Sequence, residues 1–354
     1  MESPLAIFSS NSSDPTRRRV VAGGVALIGS AALPRAAIGA SAAGLASAEP
    51  FTARVRAFLA TLEPDKRKAA SFPWNGEAWR GWNYFGFTGY VKPGLRLEQM
   101  SGVQKEAAWA VMAELWSPAG IAKAKNVMLL QDILSDMGNA TGKRSSERFS
   151  LSVFGTPSDK GAWGFRFEGH HLTQSVAVNG GRIVSVTPSS FSSNPNRVPS
   201  GKHAGLNTLK GEEALARRLF ADLAPPLQKR ARVSDSALRN IISYAGAERA
   251  NAKKVGVPVA QMTSAQRDLL WQLVETYSVE HVHPALGDAQ RGRVRTGDRE
   301  AVHFAWHGPN VPEREFAYRV IGDNFVIEMA SVDSEAQHLH TIYNDLGNVL
   351  GRAG

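Results

Sequence analysis

Two blocks of alternating apolar and polar residues, separated by a long helical stretch, constrain this 354-residue chain most. In the first, Phe149 to Phe154, Trp163 to Glu168, His171 to Val178 and Arg182 to Thr187 follow a period of two. They are bounded by Gly155, Pro157, Gly169 and the hairpin turn Asn179-Gly180-Gly181. The second block runs through Ala301–Trp306, Glu315–Ile321 and Phe325–Ala330, the last two joined by Gly322-Asp323. A period of two marks strands with chemically different faces, so Trp163, Phe165 and Phe167 should face a core and Arg166 and Glu168 the opposite side. Elsewhere the period is helical: residues 51–63, 98–116 (closed by Pro118), 120–136, 209–222, 226–246 and 264–280 are expected as helices, with a helix or turn at the chain end. Strands and helices in separate blocks predict an α+β fold, an antiparallel sheet with several packed helices and an N-terminal helical part. Residues 49–354 read as one large domain: helical over 50–140, strands over 149–187, helices over 209–280, strands over 301–330. The Ser-, Asn- and Pro-rich stretch 188–207 reads as a loop, of a length that usually serves function.

Residues 1–48 read as an address label. Arg17-Arg18-Arg19 precede a charge-free stretch from Val20 to Leu33, and Ala40-Ser41-Ala42 and Ala46-Ser47-Ala48 each offer a small-x-small cleavage pattern. This resembles a twin-arginine signal peptide, and the expected location is periplasmic or secreted. No run of about 20 apolar residues exists, so no permanent membrane span is expected. Lys and Arg exceed Asp and Glu by 41 to 32. No nucleic-acid-binding signature accompanies the basic clusters at Arg291–Arg299 and Arg217–Arg232, so the expected partner is a small molecule or an anionic envelope polymer, not nucleic acid. The oligomeric state is left open.

The chain has no cysteine, which excludes disulfides, thiolate metal sites, iron–sulfur clusters and a cysteine nucleophile. It also lacks G-x-S-x-G, H-E-x-x-H, a Walker A loop and G-x-G-x-x-G after a strand. The nine histidines are uneven: His170-His171 at the junction of two strands, His338-Leu-His340, His303 and His307 on one strand, His281 and His283 before Pro284, and His203 alone. Residues i and i+2 of a strand share a face, so His338 and His340 would present two imidazoles together, whereas adjacent histidines in an extended chain point apart. Imidazole with carboxylate suits zinc, copper or non-haem iron. His281, His283 and His203 read as structural. Aromatics crowd between Phe72 and Tyr90, including Trp74, Trp79, Trp82, Tyr84, Phe85 and Phe87, either as a core wedge or as a stacking surface.

Several segments together resemble the domain-of-unknown-function family numbered 3500: Trp163-Gly-Phe-Arg-Phe-Glu-Gly-His-His-Leu172, Val184-Ser-Val-Thr-Pro188, Phe191-Ser-Ser-Asn-Pro195, Phe316-Ala-Tyr-Arg-Val320, Ile327-Glu328 and His338-Leu-His-Thr-Ile-Tyr-Asn-Asp345. The resemblance implies Glu168, His170, His171, His303, Glu328, His338, His340 and Asp345 as pattern positions, and implies no activity. After Glu328 this chain departs from the pattern with Met329-Ala330-Ser331. The expectation is an exported protein with a histidine-rich site for a divalent metal, acting as a metal-dependent enzyme. In it, His170, His171, His338 and His340 are candidate ligands and Glu168 and Glu328 candidate catalytic groups. Trp79, Trp82, His303 and the loop Ser189–Gly205 would line the pocket. The alternative is a non-catalytic periplasmic metal- or ligand-binding protein.

Overall fold

A computed structural model describes residues 44–85, 92–138 and 144–351. All but the last five residues of the expected leader, and Phe87 and Tyr90 of the aromatic run, lie outside them. The two alternating blocks form one sheet. Its spine has eight strands: β1 Ser150–Phe154, β2 Trp163–Gly169, β3 Leu172–Asn179, β4 Ser189–Phe191, β5 His303–His307, β6 Ala317–Ile321, β7 Phe325–Ser331 and β8 Leu339–Asp345. Their spatial order is β5-β6-β7-β8-β4-β3-β2-β1, every neighbouring pair antiparallel. Shorter pieces extend the edges, and two of them, Ser71–Phe72 and Arg232–Ser234, pair in parallel. The fold is α+β, as the pattern predicts.

Cross-strand partners share a face, so the registers sort the side chains into two layers. One face carries Leu151, Val153, Trp163, Phe165, Phe167, Val176 and Phe191, continued by Phe304, Trp306, Tyr318, Ile327, Met329 and Tyr343. It packs against helices α1 Glu49–Ala60, α2 Gly102–Ala113 and α3 Pro118–Asp136 at one end, and α4 Lys210–Asp222 and α5 Ser264–Ser278 at the other. Each fully buried Phe or Leu there contributes about 1.5–3 kcal/mol. The opposite face holds Ser150, Ser152, Arg166, Glu168, Thr173, Arg319, Glu328 and His340, yet it too is buried. Two segments with little regular structure, 72–85 and 235–256, cover it. Arg166 lies 5.1 Å from the Trp79 ring and donates to the Ala78 and Trp79 carbonyls. Gly164 leaves the room: a Cβ there would meet the Trp79 ring at 2.7 Å.

The ends of helices follow local chemistry. Ser101 and Gln104 form a reciprocal cap that starts α2 at Gly102, and Pro118 sits at the start of α3 instead of closing the helix before it. Two expectations are corrected. Residues 226–246 are not one helix: Pro225–Ala231 is helical, a short strand follows, and the rest wraps over the buried polar face. Helical periodicity loses there because Glu328 takes the backbone N–H groups of Ile242 and Ser243. The loop 188–207 contains β4, which joins the two halves of the sheet. The expected closing turn is present at Val349–Gly351, preceded by a strand, β8, that the pattern did not announce. A further helix, α6 Pro284–Val294, follows His283. Residues 45–48 belong to the folded unit: Ala46 pairs with Ile183, and Ala48 is fully buried.

Candidate metal centre

The β2–β3 hairpin supplies one corner of the site. Gly169 pairs with Leu172, leaving His170 and His171 as the two turn residues. His171 has φ +66°, a left-handed conformation that is uncommon outside glycine. Its N–H donates to the Tyr84 carbonyl at 2.9 Å and its carbonyl accepts from the Ser192 N–H at 2.8 Å. These bonds oppose a strain of about 1–3 kcal/mol, and strain held at a polar residue points toward function. Because the pair sits in a turn and not in a strand, the rings do not point apart as expected; their centroids lie 3.7 Å from each other, with the planes tilted by 31°.

Strand β8 supplies the other corner. His340 lies opposite Ala330 on the polar face, and His338, just before the strand, projects to the same side. His338 Nε2 lies 2.9 Å from His171 Nε2 and 3.0 Å from His340 Nε2. The three residues offer ligand nitrogens that all lie within 4.8 Å of one another. The backbone N–H of Ile241 donates to Asn240 Oδ1 at 2.8 Å, which identifies that atom as the oxygen. The same oxygen accepts from the Tyr84 hydroxyl at 2.8 Å and from His340 Nδ1 at 2.9 Å, so His340 Nε2 carries a bare lone pair into the group. His338 Nε2 holds at most one proton and cannot donate to both neighbours. Whatever its tautomer, one contact is left without a hydrogen. A cation resolves that conflict: zinc–nitrogen bonds of about 2.0–2.1 Å set ring nitrogens about 3.3–3.4 Å apart, so the two contacts at His338 would open by a few tenths of an ångström while His171 and His340, more widely spaced, would draw together. Burial above all, with the positive Arg144 adding to it, pushes His338 down to about 4; burial and neighbouring imidazoles hold His171 and His340 well below the usual imidazole range. The neutral imidazole is the form that binds metal.

The other expected site residues are placed differently. His170 backs the His171 ring, its Nδ1 2.7 Å from Arg144 Nη1 and 2.7 Å from Gln131 Oε1, and it stands outside the three-ligand group. Glu168 is fully buried on the same face, 3.5 Å from Lys92 Nζ and 3.8 Å from Arg166, with Oε1 lacking a hydrogen-bond partner. Both oxygens of Glu328 are occupied: Oε2 accepts from the Ile242 and Ser243 N–H groups, and Oε1 from Ser243 Oγ and Arg319 Nε. His303 lies four residues along and three strands across from His340, about 13 Å by about 14 Å, with Nδ1 on the Ala301 carbonyl. That distance takes it out of the pocket wall. Trp79 and Trp82 are buried core, donating to the Leu350 carbonyl and to Glu248 Oε1. Tyr84 and Phe85, from the same aromatic run, provide the wall instead, with rings 4.7 and 6.2 Å from that of His340. Asp345 pairs with Arg293 at 2.8 Å and points to the helical face, away from the histidines. Asn240 had no visible signal, because its segment reads as helix.

The profile of the family described as "Protein of unknown function (DUF3500)" matches residues 45–349, most of the chain. No curated protein and no solved structure matches the chain significantly.

Proposed function

The chain belongs to the DUF3500 family, and from that premise we propose that it is an exported metal-dependent enzyme whose resident ion is held by His171, His338 and His340. The observation that carries this reading is the convergence of three neutral imidazoles, one from a strained turn, on a point that no proton arrangement satisfies. Three protein ligands leave a position for substrate, whereas a structural or storage site tends to close with a fourth; that count favours the enzyme over a non-catalytic metal-binding protein. An ion bound there supplies Lewis-acid polarisation of a substrate oxygen. Asn240 holds the His340 ring in the tautomer that presents Nε2, and Tyr84 holds Asn240. Tyr84 and Phe85 keep water from one side of the group. Glu168, buried three residues before His171, with Oε1 lacking a hydrogen bond though 3.8 Å from Arg166, is the candidate carboxylate for proton transfer. The all-nitrogen ligand set suits zinc, copper or iron alike.

Among the described residues no helix is long and apolar enough to cross a membrane. Export rests on the twin-arginine pattern, and cleavage after Ala42 is the better placed of the two, because cleavage after Ala48 would remove the strand that pairs with Arg182 and Ile183. Elemental analysis of the protein purified from its native compartment tests the reading. About one transition-metal ion per chain is expected, lost in His338→Ala with folding retained. Metal content unchanged in that variant, or a metal-free parent, would refute it.

A further inference from the structure

The start of helix α4, the loop 196–207 and the turns at 312–313 and 335–337 enclose a cavity of about 280 Å³. None of the three histidines of the metal centre lines it. Its floor is a finished polar network. Glu213 accepts from Asn196 Nδ2 at 2.9 Å and from Arg217 Nε at 2.8 Å, and Arg217 is held further by Asn310 Oδ1, the Arg314 carbonyl and the Phe316 ring. Asn196 is 5% exposed, and its Oδ1, the atom that Glu213 does not engage, is buried without a hydrogen bond. Native folds seldom leave such an oxygen without a donor. Two amides of the wall are oriented by the backbone: Asn207 Oδ1 accepts from the Leu209 N–H and Gln337 Oε1 from the Arg197 N–H. Both NH2 groups are thereby left without a partner among the described residues. At the rim the exposed side chains of Arg197, Lys210, Glu313 and Glu335 make no ion pair or hydrogen bond among the described residues. The backbone is strained here as well: Glu313 has φ +57° and Ala336 φ +52°, two of the five left-handed residues other than glycine among the described ones.

The lining selects its ligand. Arg197, Lys210 and Arg217 balance Glu213, Glu313 and Glu335, so neither a lone anion nor a lone cation is favoured. Unpaired donors and unpaired acceptors stand in one cavity and call for a ligand with a group of each kind. No aromatic ring lines it, so a sugar finds no face on which to stack. We infer that this cavity binds a zwitterion, a free α-amino acid: Arg197, Lys210 and the two amide NH2 groups meet the carboxylate, and Asn196 Oδ1 and Glu335 meet the ammonium. Isothermal titration calorimetry of the purified protein with each of the common L-amino acids, and with D-glucose, tests it. Saturable binding of at least one amino acid is expected, with its N-acetyl and its amide forms each about tenfold or more weaker, since each loses one charge. The double variant Arg197→Met/Lys210→Met should melt as the parent does, both side chains being exposed, and should bind the amino acid about tenfold or more weakly. Glu335→Gln, also at an exposed position, should weaken it from the ammonium side and serves if the double variant fails to fold. Amino acids also chelate metal ions, so the parent is compared with His338→Ala, in which affinity should stay within about threefold. No saturable heat with any amino acid, binding of glucose alone, equal affinity for the blocked forms, or affinity indifferent to these rim variants would overturn the inference and leave the metal reading standing. Binding lost in His338→Ala would place the ligand on the metal and overturn the inference as well.

Discussion

Glu328→Gln separates anchoring from catalysis at the carboxylate that the sequence pattern brought forward. The side chain is 2% exposed and its partner Arg319 5%. Its four contacts are all donors: Ile242 N–H at 2.8 Å, Ser243 N–H at 3.0 Å, Ser243 Oγ at 2.8 Å and Arg319 Nε at 2.8 Å. An amide of the same size must turn its NH2 toward one pair of donors. Facing Ile242 and Ser243, it orphans two backbone N–H groups, each worth about 1–3 kcal/mol. Facing Arg319, it leaves a buried guanidinium without a counter-charge, a loss of about 3–5 kcal/mol. Either way the expected destabilisation is about 3–5 kcal/mol, or about 5–8 °C in Tm for a chain of this size. Thermal and urea melts followed by circular dichroism at pH 7 measure it. Residual folded protein at low temperature should hold metal more weakly, since the anchored segment carries Asn240. A variant that melts within about 0.5 kcal/mol of the parent, yet loses function, would show that Glu328 acts on substrate and that the anchoring argument fails.

Asn240→Leu removes the acceptor that fixes the His340 tautomer and should weaken metal binding about 10–100-fold in a chelator competition; unchanged affinity contradicts the orienting role. His171→Gly and His171→Ala should both lose the metal, but the glycine variant should be about 1 kcal/mol the more stable in melts, because only glycine holds φ +66° without strain. His307 is buried with neither ring nitrogen hydrogen-bonded, and burial first, then Arg319, pushes it down to about 4 against a raising effect from Glu328. The unfolded chain therefore takes up a proton below pH 6.5 that the fold refuses. The stability from neutral His307 is full above pH 6.5 and is lost as pH falls toward 4, by up to about 3 kcal/mol. His307→Leu should flatten that part of the acid-denaturation profile, and a profile unchanged by the substitution would show that the shift is absent.

What was legible in the sequence depended on whether the signal was local. Strands β1 to β3 and β5 to β7 announced themselves through alternation, because each has one face on the helices and one bearing polar residues. The alternation said nothing of what lies over the polar face. Arg166, Glu168, Arg319 and Glu328 are as buried as the phenylalanines beside them, since two irregular segments supply the carbonyls and N–H groups that such residues need in order to leave water. Those segments are hard to read for the same reason. Residues 226–246 have the spacing of a helix, but a helix would keep its own N–H groups and deny Ile242 and Ser243 to Glu328. The histidines show the same division. The i, i+2 rule placed His338 and His340 on one side of a strand from two positions alone. His171 needed more: a turn whose left-handed residue brings its ring to the other two, held by Tyr84 and Ser192 from distant parts of the chain. Without that turn His170 and His171 would point apart, and neither their identity nor their spacing distinguishes the ligand from the residue that backs it. The backbone conformation at His171 makes that distinction, so the ligand choice is a property of the tertiary fold, written only indirectly in the Glu-Gly-His-His segment.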